Sequence, residues 1–276
     1  MTNTDAPSTS SLHGKTALIT GGSRGIGAGI ALQFARKGIA ALAITYAGNI
    51  KGAEDTLSQC RSISPSLKTV AIQANLLDPS IGPNLISKTL DGINATHIDI
   101  VVNNAAVLDM SALEAFTDTT LTGFTQMMQG NVFAAMSIIS AVLPYLPPKG
   151  GRIINISSIA SKMANSDRIL VYGASKAALD SITRSLAFIF GVQTGATFNS
   201  VNVGPTRSGA TLAAAESFGQ AMLDSTIEPI TTEKRMGEPE DVGFVVAFLA
   251  SGEARWINGQ SIPANGGYKE LLSLQG

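Results

Sequence analysis

Short apolar runs alternate with longer amphipathic stretches along almost the whole chain. The apolar runs predict strands near residues 15–20, 40–46, 69–74, 98–103, 152–157, 197–203 and 260–263. The amphipathic stretches predict helices near residues 25–37, 50–62, 80–91, 120–143, 172–190, 211–224 and 239–251. This order is typical of βαβ units, whose right-handed crossovers place helices on both faces of a parallel sheet. The pattern therefore predicts an α/β fold with a doubly wound parallel sheet of about seven strands.

The alternating pattern begins near residue 14, and no linker, repeat or low-complexity block divides it. We therefore expect one domain over residues 14–276. Residues 1–13 are polar, contain Ser, Thr and Pro, and lack the basic and apolar regions of a signal peptide. We expect these residues to form a disordered tail.

A glycine-rich turn, TGGSRGIG over residues 20–27, joins the first predicted strand to the first predicted helix. Its glycines, Gly21, Gly25 and Gly27, differ in spacing from the Gly-x-Gly-x-x-Gly of the common dinucleotide fingerprint. Glycines let a backbone approach a pyrophosphate closely, and a helix N-terminus offers free N–H groups to an anion. The turn predicts a dinucleotide site, and a tight turn without a ligand is the alternative.

The end of the second predicted strand helps to choose between the two nicotinamide cofactors. An acidic residue there would bind the ribose hydroxyls of NAD and repel a 2′-phosphate. No acid follows Tyr46 before Glu54, and Arg24 inside the glycine turn offers a basic group to a phosphate. These features favour NADP; the alternative for Arg24 is a solvated surface charge.

Tyr172 and Lys176 lie four residues apart in a predicted helix, which places a phenol and an ammonium one turn apart on one face. A nearby cation favours the phenolate and lowers the pKa of a phenol. Tyr172 could then exchange a proton with a carbonyl or alcohol oxygen near neutral pH. Taken alone, the pair also fits two surface residues on an amphipathic helix.

Together with other motifs in the same order, these features closely resemble the short-chain dehydrogenase/reductase family from about Leu12 to Tyr268. The motifs are the glycine turn, NNAA at 103–106, QGNVF at 129–133, INISS at 154–158, YGASK at 172–176, VGPTRS at 203–208, and the segments at 237–251 and 259–267. The resemblance implies a Rossmann fold and an oxidoreductase.

The resemblance implies four catalytic residues: Asn131, Ser158, Tyr172 and Lys176. In such enzymes the Ser hydroxyl holds the substrate oxygen and the Tyr transfers the proton. The Lys binds the nicotinamide ribose and lowers the pKa of the Tyr, and the Asn backbone carbonyl supports a water chain to the Lys. Strand alternation points Ser157 and Ser158 to opposite faces, and Ser158 matches the motif.

The family's cofactor contacts carry over in the same way. The implied positions are Gly21, Ser23, Arg24, Gly25, Ile26, Gly27, Tyr46, Asn49, Asn75, Leu76, Asn103, Ala105, Tyr172, Lys176, Pro205, Thr206 and Ser208. Asn75 stands where the family usually has Asp, and Ser208 where Thr is commoner. Asn75 and Leu76 would flank the adenine, and Thr206 and Ser208 would hold the nicotinamide amide.

Composition narrows the range of partners. A net charge of −1 gives the chain no electrostatic field that would attract nucleic acid or a membrane surface. We also expect no apolar run of membrane-spanning length. The single cysteine, Cys60, cannot form an intrachain disulfide and fits a reducing, cytoplasmic compartment. Neither of the two histidines, His13 and His97, has a ligand cluster around it, so we expect no metal site.

Self-association is expected from the same composition. Hydrophobic residues make up 45% of the chain and charged residues 14%, which is apolar for a monomer's surface. Residues 132–143 and 186–192 are especially apolar, and in the family these helices pack against a partner subunit. We expect a homo-oligomer, most simply a homotetramer; burial of these helices within one subunit is the alternative.

The resemblance implies hydride transfer between NADP(H) and a carbonyl or secondary alcohol. The segment from Gly209 to Met236 would form a lid, and its apolar residues, with Met163 opposite, favour an apolar or aromatic ketone as the small-molecule substrate. One alternative is an NAD-dependent alcohol dehydrogenase. Another is a catalytically silent dinucleotide-binding scaffold, against which the retained Ser158, Tyr172 and Lys176 count.

Overall fold

The computed structural model describes residues 8–108, 115–209, 211 and 220–272. Seven parallel strands form one sheet in the order β3-β2-β1-β4-β5-β6-β7. They are β1 Thr16–Ile19, β2 Ala41–Tyr46, β3 Lys68–Gln73, β4 Ile100–Asn103, β5 Arg152–Ser158, β6 Thr197–Val203 and β7 Ser261–Ala264. The doubly wound α/β fold predicted from the alternating pattern is confirmed.

Nine α-helices accompany the sheet in the part of the chain that the structure describes. They are α1 Gly25–Arg36, α2 Ile50–Ile63, α3 Ile81–Ile93, α4 Leu121–Met128, α5 Ala134–Val142, α6 Leu170–Thr194, α7 Gln220–Ile227, α8 Pro239–Ala250 and α9 Lys269–Leu272. A π-helical turn, Gln129–Phe133, joins α4 to α5, so the helix predicted over 120–143 is interrupted. Most of the helix predicted over 211–224 lies outside the described residues.

The core has two layers because neighbouring residues of each strand point to opposite faces of the sheet. Ile19 and Val102 contact the cluster that contains Phe34 of α1 and Val246 of α8. Their neighbours Leu18 and Val101 contact the cluster on the other face, which α3, α5 and α6 cover. Both faces are apolar, which explains why the strands read as continuous hydrophobic runs.

The order in which strands are added to the sheet reverses between β1 and β4, two neighbouring parallel strands near its centre. In the register, Ile19 of β1 lies opposite Val102 of β4, so both strands end at the same edge. Ligands of open α/β sheets bind in the crevice outside this point, at the carboxyl ends of the strands. The glycine turn follows β1 there, and the NNAA motif follows β4.

The N-terminal segment differs from the disordered tail that we expected. Residues 8–13 pack against the domain: Leu12 is 1% exposed within the core cluster that contains Phe34. Its backbone N–H donates to the carbonyl of Lys37 over 2.9 Å. Burial of this one leucine side chain stabilises a segment whose composition is otherwise that of a tail. Residues 1–7 lie outside the described residues.

The helical stretch Leu121–Tyr145 also departs from expectation. By length and composition it is apolar enough to cross a membrane, although we expected no run of that kind. Half of its most apolar window is buried inside the protein. Its inward residues, Ile138, Ile139 and Val142, belong to the core cluster that α3 also contacts, as in the core helix of a globular domain.

Candidate active site

A cleft with a volume of about 900 Å³ opens at the carboxyl edge of the sheet. Most residues that the sequence placed in a cofactor or catalytic site line it: Gly21, Ser23, Arg24, Gly25, Ile26, Tyr46, Asn75, Leu76, Ala105, Ser158, Tyr172, Lys176, Pro205, Thr206 and Ser208. Gly27, Asn49, Asn103 and Asn131 lie behind or beside its wall. Most of the lining residues lie at or just after the ends of β1, β2, β3, β4, β5 and β6, which explains why they are scattered along the chain.

The glycine turn has the geometry of a phosphate-binding loop. Gly21 and Gly25 have φ angles of 68° and 56°, in the left-handed region that glycine tolerates best. A Cβ atom on Gly27 would lie 2.2 Å from the carbonyl oxygen of Gly21, so only glycine fits there. The turn therefore brings its backbone unusually close to the start of α1.

The start of α1 fits an anionic group. Arg24, the residue before the helix, makes no side-chain cap, and the first turn contains no acidic residue. The first N–H groups of the helix are left to a ligand, and the helix dipole favours negative charge at this end. Helix, turn and cleft together fit the pyrophosphate of a dinucleotide.

Asn104 is a functional residue that the sequence reasoning missed. Its side-chain amide donates to the carbonyls of Thr20 (2.8 Å) and Gly21 (3.1 Å). In return, the Thr20 hydroxyl accepts from the backbone N–H groups of Asn104 and Ala105, both over 3.0 Å. Four hydrogen bonds thus tie the glycine turn to the end of β4. The second Asn of the NNAA motif was the available signal.

The region around the end of β2 is consistent with a 2′-phosphate. Arg24 is exposed, and its guanidinium forms no ion pair within the described part of the chain. Tyr46 lines the cleft at the end of the strand. Asn49, which the resemblance placed at the cofactor, caps α2 instead: its Oδ1 accepts from the backbone N–H of Gly52 over 2.9 Å.

The loops after β3 and β6 complete the cofactor side of the cleft. Asn75 folds over its own backbone, with its Oδ1 accepting from the N–H of Leu77 over 3.0 Å. Thr206 donates to the carbonyl of Gly204 over 3.0 Å, and Ser208 shares a 2.9 Å hydrogen bond with Thr211. These local bonds fix the backbone of each loop.

Ser158, Tyr172 and Lys176 meet at the floor of the cleft. The Ser158 hydroxyl lies near enough to the phenol of Tyr172 to favour its ionised form and oppose the rise of its pKa. The ammonium of Lys176 lies 5.7 Å from the centroid of the Tyr172 ring and donates to the carbonyl of Ile156 over 2.9 Å. Ser157 is buried, and its hydroxyl donates to the carbonyl of Lys176. The serine beside the phenol is therefore Ser158, as its motif position indicates.

Burial shifts the pKa values of the tyrosine and the lysine in opposite directions. It raises the pKa of Tyr172 to about 12, against the opposing effect of the Ser158 hydroxyl. It lowers the pKa of Lys176 to about 8, against the opposing charge of Asp180. We expected Lys176 to lower the pKa of Tyr172 below its usual value. That expectation is wrong for this structure, because desolvation of the phenol outweighs every opposing interaction.

Asn131 lies in the π-helical turn between α4 and α5, a local geometry that is frequent at functional sites. The side chain is buried rather than on an exposed helix face. Its Oδ1 accepts from the backbone N–H of Val107 over 2.7 Å, and its amide donates to the Ser175 hydroxyl over 3.1 Å. Asn131 therefore holds the loop after β4 against α6.

A second, much smaller cavity of about 10 Å³ lies behind the cleft. Asn103, Asn131 and Lys176 line it together with Thr20. The amide of Asn103 donates to Asn155 over 2.8 Å, while its Oδ1 is buried without a partner. The cavity has room for about one water molecule, and a polar lining of this kind suits one. Asn103 thus faces the interior beside Lys176 rather than the open cleft.

Comparison with known proteins gives the same picture over nearly the whole chain. A family model described as enoyl-(acyl carrier protein) reductase matches residues 21–269. The short chain dehydrogenase AsqE of Emericella nidulans is 48% identical over 95% of this chain and 96% of its own length. A hydroxynaphthalene reductase of Aspergillus fumigatus is 38% identical over 90% of both chains.

Solved structures share this fold. A dehydrogenase/reductase from Sinorhizobium meliloti superposes with a TM-score of 0.85 at 33% identity, over 94% of this chain and 97% of that one. The angucycline C-6 ketoreductase LanV with bound NADP gives 0.82 at 33% identity, with the same coverage. With the glycine turn at the switch point and the Ser-Tyr-Lys cluster beside it, these matches establish that the chain belongs to the short-chain dehydrogenase/reductase family.

Proposed function

We propose that this protein is an NADPH-dependent ketoreductase in which Tyr172 donates a proton to the carbonyl oxygen. The observation that carries the proposal is the meeting of Ser158, Tyr172 and Lys176 at the cleft, with Lys176 buried beside the phenol. With a pKa of about 12, the phenol stays protonated at neutral pH and holds the proton that a ketone needs on reduction.

The residues of the cleft fit NADP(H). When bound, the dihydronicotinamide supplies the hydride. Gly21, Gly25 and the uncapped start of α1 suit the pyrophosphate, and Arg24, exposed and without an ion pair among the described residues, suits the 2′-phosphate. The similar ketoreductase LanV was solved with bound NADP.

Each catalytic side chain has a distinct task in the proposed reaction. Ser158 orients the substrate carbonyl next to the Tyr172 hydroxyl, so that donor and acceptor are within hydrogen-bond reach. Lys176, as an ammonium, stabilises the phenolate that remains after proton transfer. The pKa of Lys176, about 8, makes this charged form sensitive to pH close to neutrality.

An apolar or aromatic ketone fits the substrate end of the cleft. Met163, Ile169, Tyr268 and Val107 line this end of the cleft. Tyr268 also belongs to a small apolar cluster with Ile230 and Leu271. A flat aromatic body would replace the water against these side chains, which favours binding in proportion to the apolar area buried. Two of the similar proteins are named as a hydroxynaphthalene reductase and an angucycline ketoreductase.

The test is Tyr172→Phe, which removes the proton donor and keeps the ring. NADPH consumption would be followed with a panel of aliphatic, monocyclic aromatic and fused-ring ketones. We expect the rate to fall by about 10²–10⁴, since that is the usual contribution of a general acid. NADPH affinity, measured by calorimetry, should stay near the wild-type value.

Tyr145→Phe is the matched control, because Tyr145 follows α5 and is not part of the cleft lining. It should leave the rate unchanged. Near wild-type turnover in Tyr172→Phe would contradict the proposed proton donor. Turnover with none of the ketones in the wild type, despite NADPH binding, would favour the silent scaffold instead.

A further inference from the structure

A buried carboxylate lies one helical turn beyond Lys176. Asp180 is 2% exposed, and both residues belong to α6. Its Oδ2 accepts from the Ser161 hydroxyl over 2.6 Å and from the Asn202 amide over 3.3 Å. No cation lies within 4.0 Å of it among the described residues. A buried charge without an ion pair is destabilising, so its retention needs a reason.

The partners of Asp180 lead directly to the catalytic serine. The amide of Asn202, on β6, donates not only to Asp180 but also to the backbone carbonyl of Ser158 and to the Ser161 hydroxyl, each over 3.1 Å. Ser158 and Ser161 are the two ends of the short turn that follows β5. One polar cluster therefore joins the end of β5, the end of β6 and the helix that carries Tyr172 and Lys176.

The hydrogen bonds of this cluster do not require a charge. An asparagine at position 180 could accept from Ser161 and Asn202 through its own carbonyl oxygen. The other carboxylate oxygen, Oδ1, is buried and has no hydrogen-bond partner. The feature that only the acid supplies is its negative charge. The ionisable groups one turn away on its helix are Lys176, which is buried, and Arg184, which is exposed to solvent. The charge of Asp180 opposes the loss of the Lys176 proton on burial.

We propose that Asp180 is a positioning residue for the reduction: with Ser161 and Asn202 it holds Ser158 against Tyr172, and its charge keeps Lys176 in the ammonium form. The inference rests on the proposed function, since it assigns a task in that same reaction. It goes beyond the Ser-Tyr-Lys cluster by naming the group on which the charge of the lysine depends.

The other charged groups around Lys176 leave this assignment to Asp180. The elements packed against α6 are α4, β5, β6, the π-helical turn and the short turns Ile159–Ser161 and Asp167–Ile169. Among them, only Arg152, Asp167 and Arg168 are ionisable residues of the types Asp, Glu, Lys, Arg or His, and Asp167 and Arg168 are exposed in the turn that precedes α6. Arg152 stands at the opposite end of β5 and donates to the carbonyl of Ser251.

The decisive variant is Asp180→Asn, which removes the charge and keeps the shape and the accepting oxygen. The measurement is kcat/KM for a good ketone at saturating NADPH, as a function of pH. Without the negative charge the pKa of Lys176 falls further below about 8. The alkaline limb of the profile should therefore move to lower pH, by about one unit, as expected for loss of a nearby opposite charge.

Two further variants separate charge from structure. Asp99→Asn removes a carboxylate that is equally buried, at 2% exposed, but lies at the opposite edge of the sheet beside Lys15. It should lower stability without moving the alkaline limb. Ser161→Ala keeps the charge of Asp180 but removes two hydrogen bonds of the cluster, to Asp180 and from Asn202, so it should lower kcat and leave the limb in place.

An alkaline limb at the wild-type pH in Asp180→Asn would overturn the proposal and leave Asp180 a structural residue. If that variant does not fold, Asp180→Ser, which is also neutral and leaves room for a water molecule, gives the same comparison. Tyr172→Phe distinguishes a failure of the proposed function from a failure of the proposed role of Asp180. If it remains active, the proposed function fails; if it is inactive while the limb of Asp180→Asn is unmoved, only the role of Asp180 fails.

Discussion

Burial acts on Tyr172 and Lys176 in a way that their spacing in the sequence does not reveal. Because the two residues lie four apart on a helix, the ammonium of Lys176 was expected to lower the pKa of the Tyr172 phenol by direct attraction. In the folded protein the ammonium is directed at the carbonyl of Ile156, and desolvation raises the pKa of the phenol instead. The motif places both side chains on one helix, but the sign of the pKa shift depends on the residues that surround the phenol, and these come from distant segments of the chain.

The same burial predicts that Lys176 destabilises the fold near neutral pH. Its pKa drops from 10.5 to about 8 on folding. Between these two values the unfolded chain binds more protons than the folded one, so stability rises with pH across that window. Lys176→Met removes the effect. Relative to Lys176→Met, the wild type should gain on the order of 2–3 kcal/mol in unfolding free energy between pH 8 and pH 10.5.

Denaturant unfolding of both proteins at several pH values and one protein concentration would measure this shift. Groups other than Lys176 titrate equally in both proteins and cancel in the difference. A stability difference that does not change with pH would mean that Lys176 keeps an ordinary pKa in the fold. Lys176→Met should also lack turnover at every pH, since the ammonium is absent.

We predict that Arg24 gives the enzyme a preference for NADPH over NADH. Its guanidinium is exposed at the start of α1 and is unpaired within the described residues. Arg24→Ala should lower kcat/KM with NADPH by about 10–100-fold, as for loss of a hydrogen bond to a charged group, and leave the value with NADH nearly unchanged. Arg36→Ala is the control: it lies at the far end of the same helix and pairs with Glu240. Equal wild-type values with the two cofactors would exclude the preference.

At the level of helices and strands, most of the architecture could be read from the sequence. Each strand pattern is local, and β2, β3, β5 and β6 lie within one residue of their predicted bounds. The departures arise from contacts that local patterns do not encode. The break at Gln129–Phe133 accompanies the hydrogen bonds that Asn131 makes to Val107 and Ser175. Residues 8–13 pack on the domain through the burial of Leu12 and through hydrogen bonds to distant residues such as Lys37 and Gly252.

The site was predictable to the extent that motifs carry it. The glycine turn and the Ser158, Tyr172 and Lys176 positions follow from short local patterns. Asn104, Asp180 and Asn202 were missed because their significance lies in partners at long sequence separation, such as Thr20 for Asn104 and Ser158 for Asn202. A buried polar residue shows its task only when its hydrogen-bond partners are known.

The glycine turn provides a test at the level of a whole element. Gly27→Ala would place a Cβ atom 2.2 Å from the carbonyl of Gly21 and 2.6 Å from the amide nitrogen of Asn104. Because both neighbours hold the turn, we expect a loss of about 1–3 kcal/mol in stability and a clear loss of NADPH affinity. Gly48→Ala is the matched control, since nothing lies within 4 Å of its Cβ position and its φ is not positive. A Gly27→Ala variant with wild-type NADPH affinity would show that the turn adapts.

On the scale of the whole molecule, two apolar patches are exposed on opposite faces of the sheet. The first lies on α6, where Phe188 is 90% and Val192 is 99% exposed, while other residues of α6 contact the core of that face. The second combines Phe244 and Phe248 of α8 with Trp256, which is 96% exposed. Contiguous exposed apolar residues of this kind mark interaction sites. Because the two patches are separate, each can pack against the same patch of another subunit, which gives two different contacts.

We therefore predict that the protein forms a tetramer with two kinds of two-fold interface. Light scattering at micromolar concentration should give four times the chain mass of 28.5 kDa.

The double variant Phe188→Glu and Val192→Glu places two like charges one helical turn apart in the first patch, and should disrupt that contact alone. The mass should then fall to twice 28.5 kDa, because the α8 patch is untouched. Ser58→Glu with Ser62→Glu places the same two charges one turn apart on the exposed face of α2 and should leave the tetramer intact. A wild-type monomer at every concentration would contradict both interfaces, whereas a monomeric α6 variant would mean that the two contacts form only together.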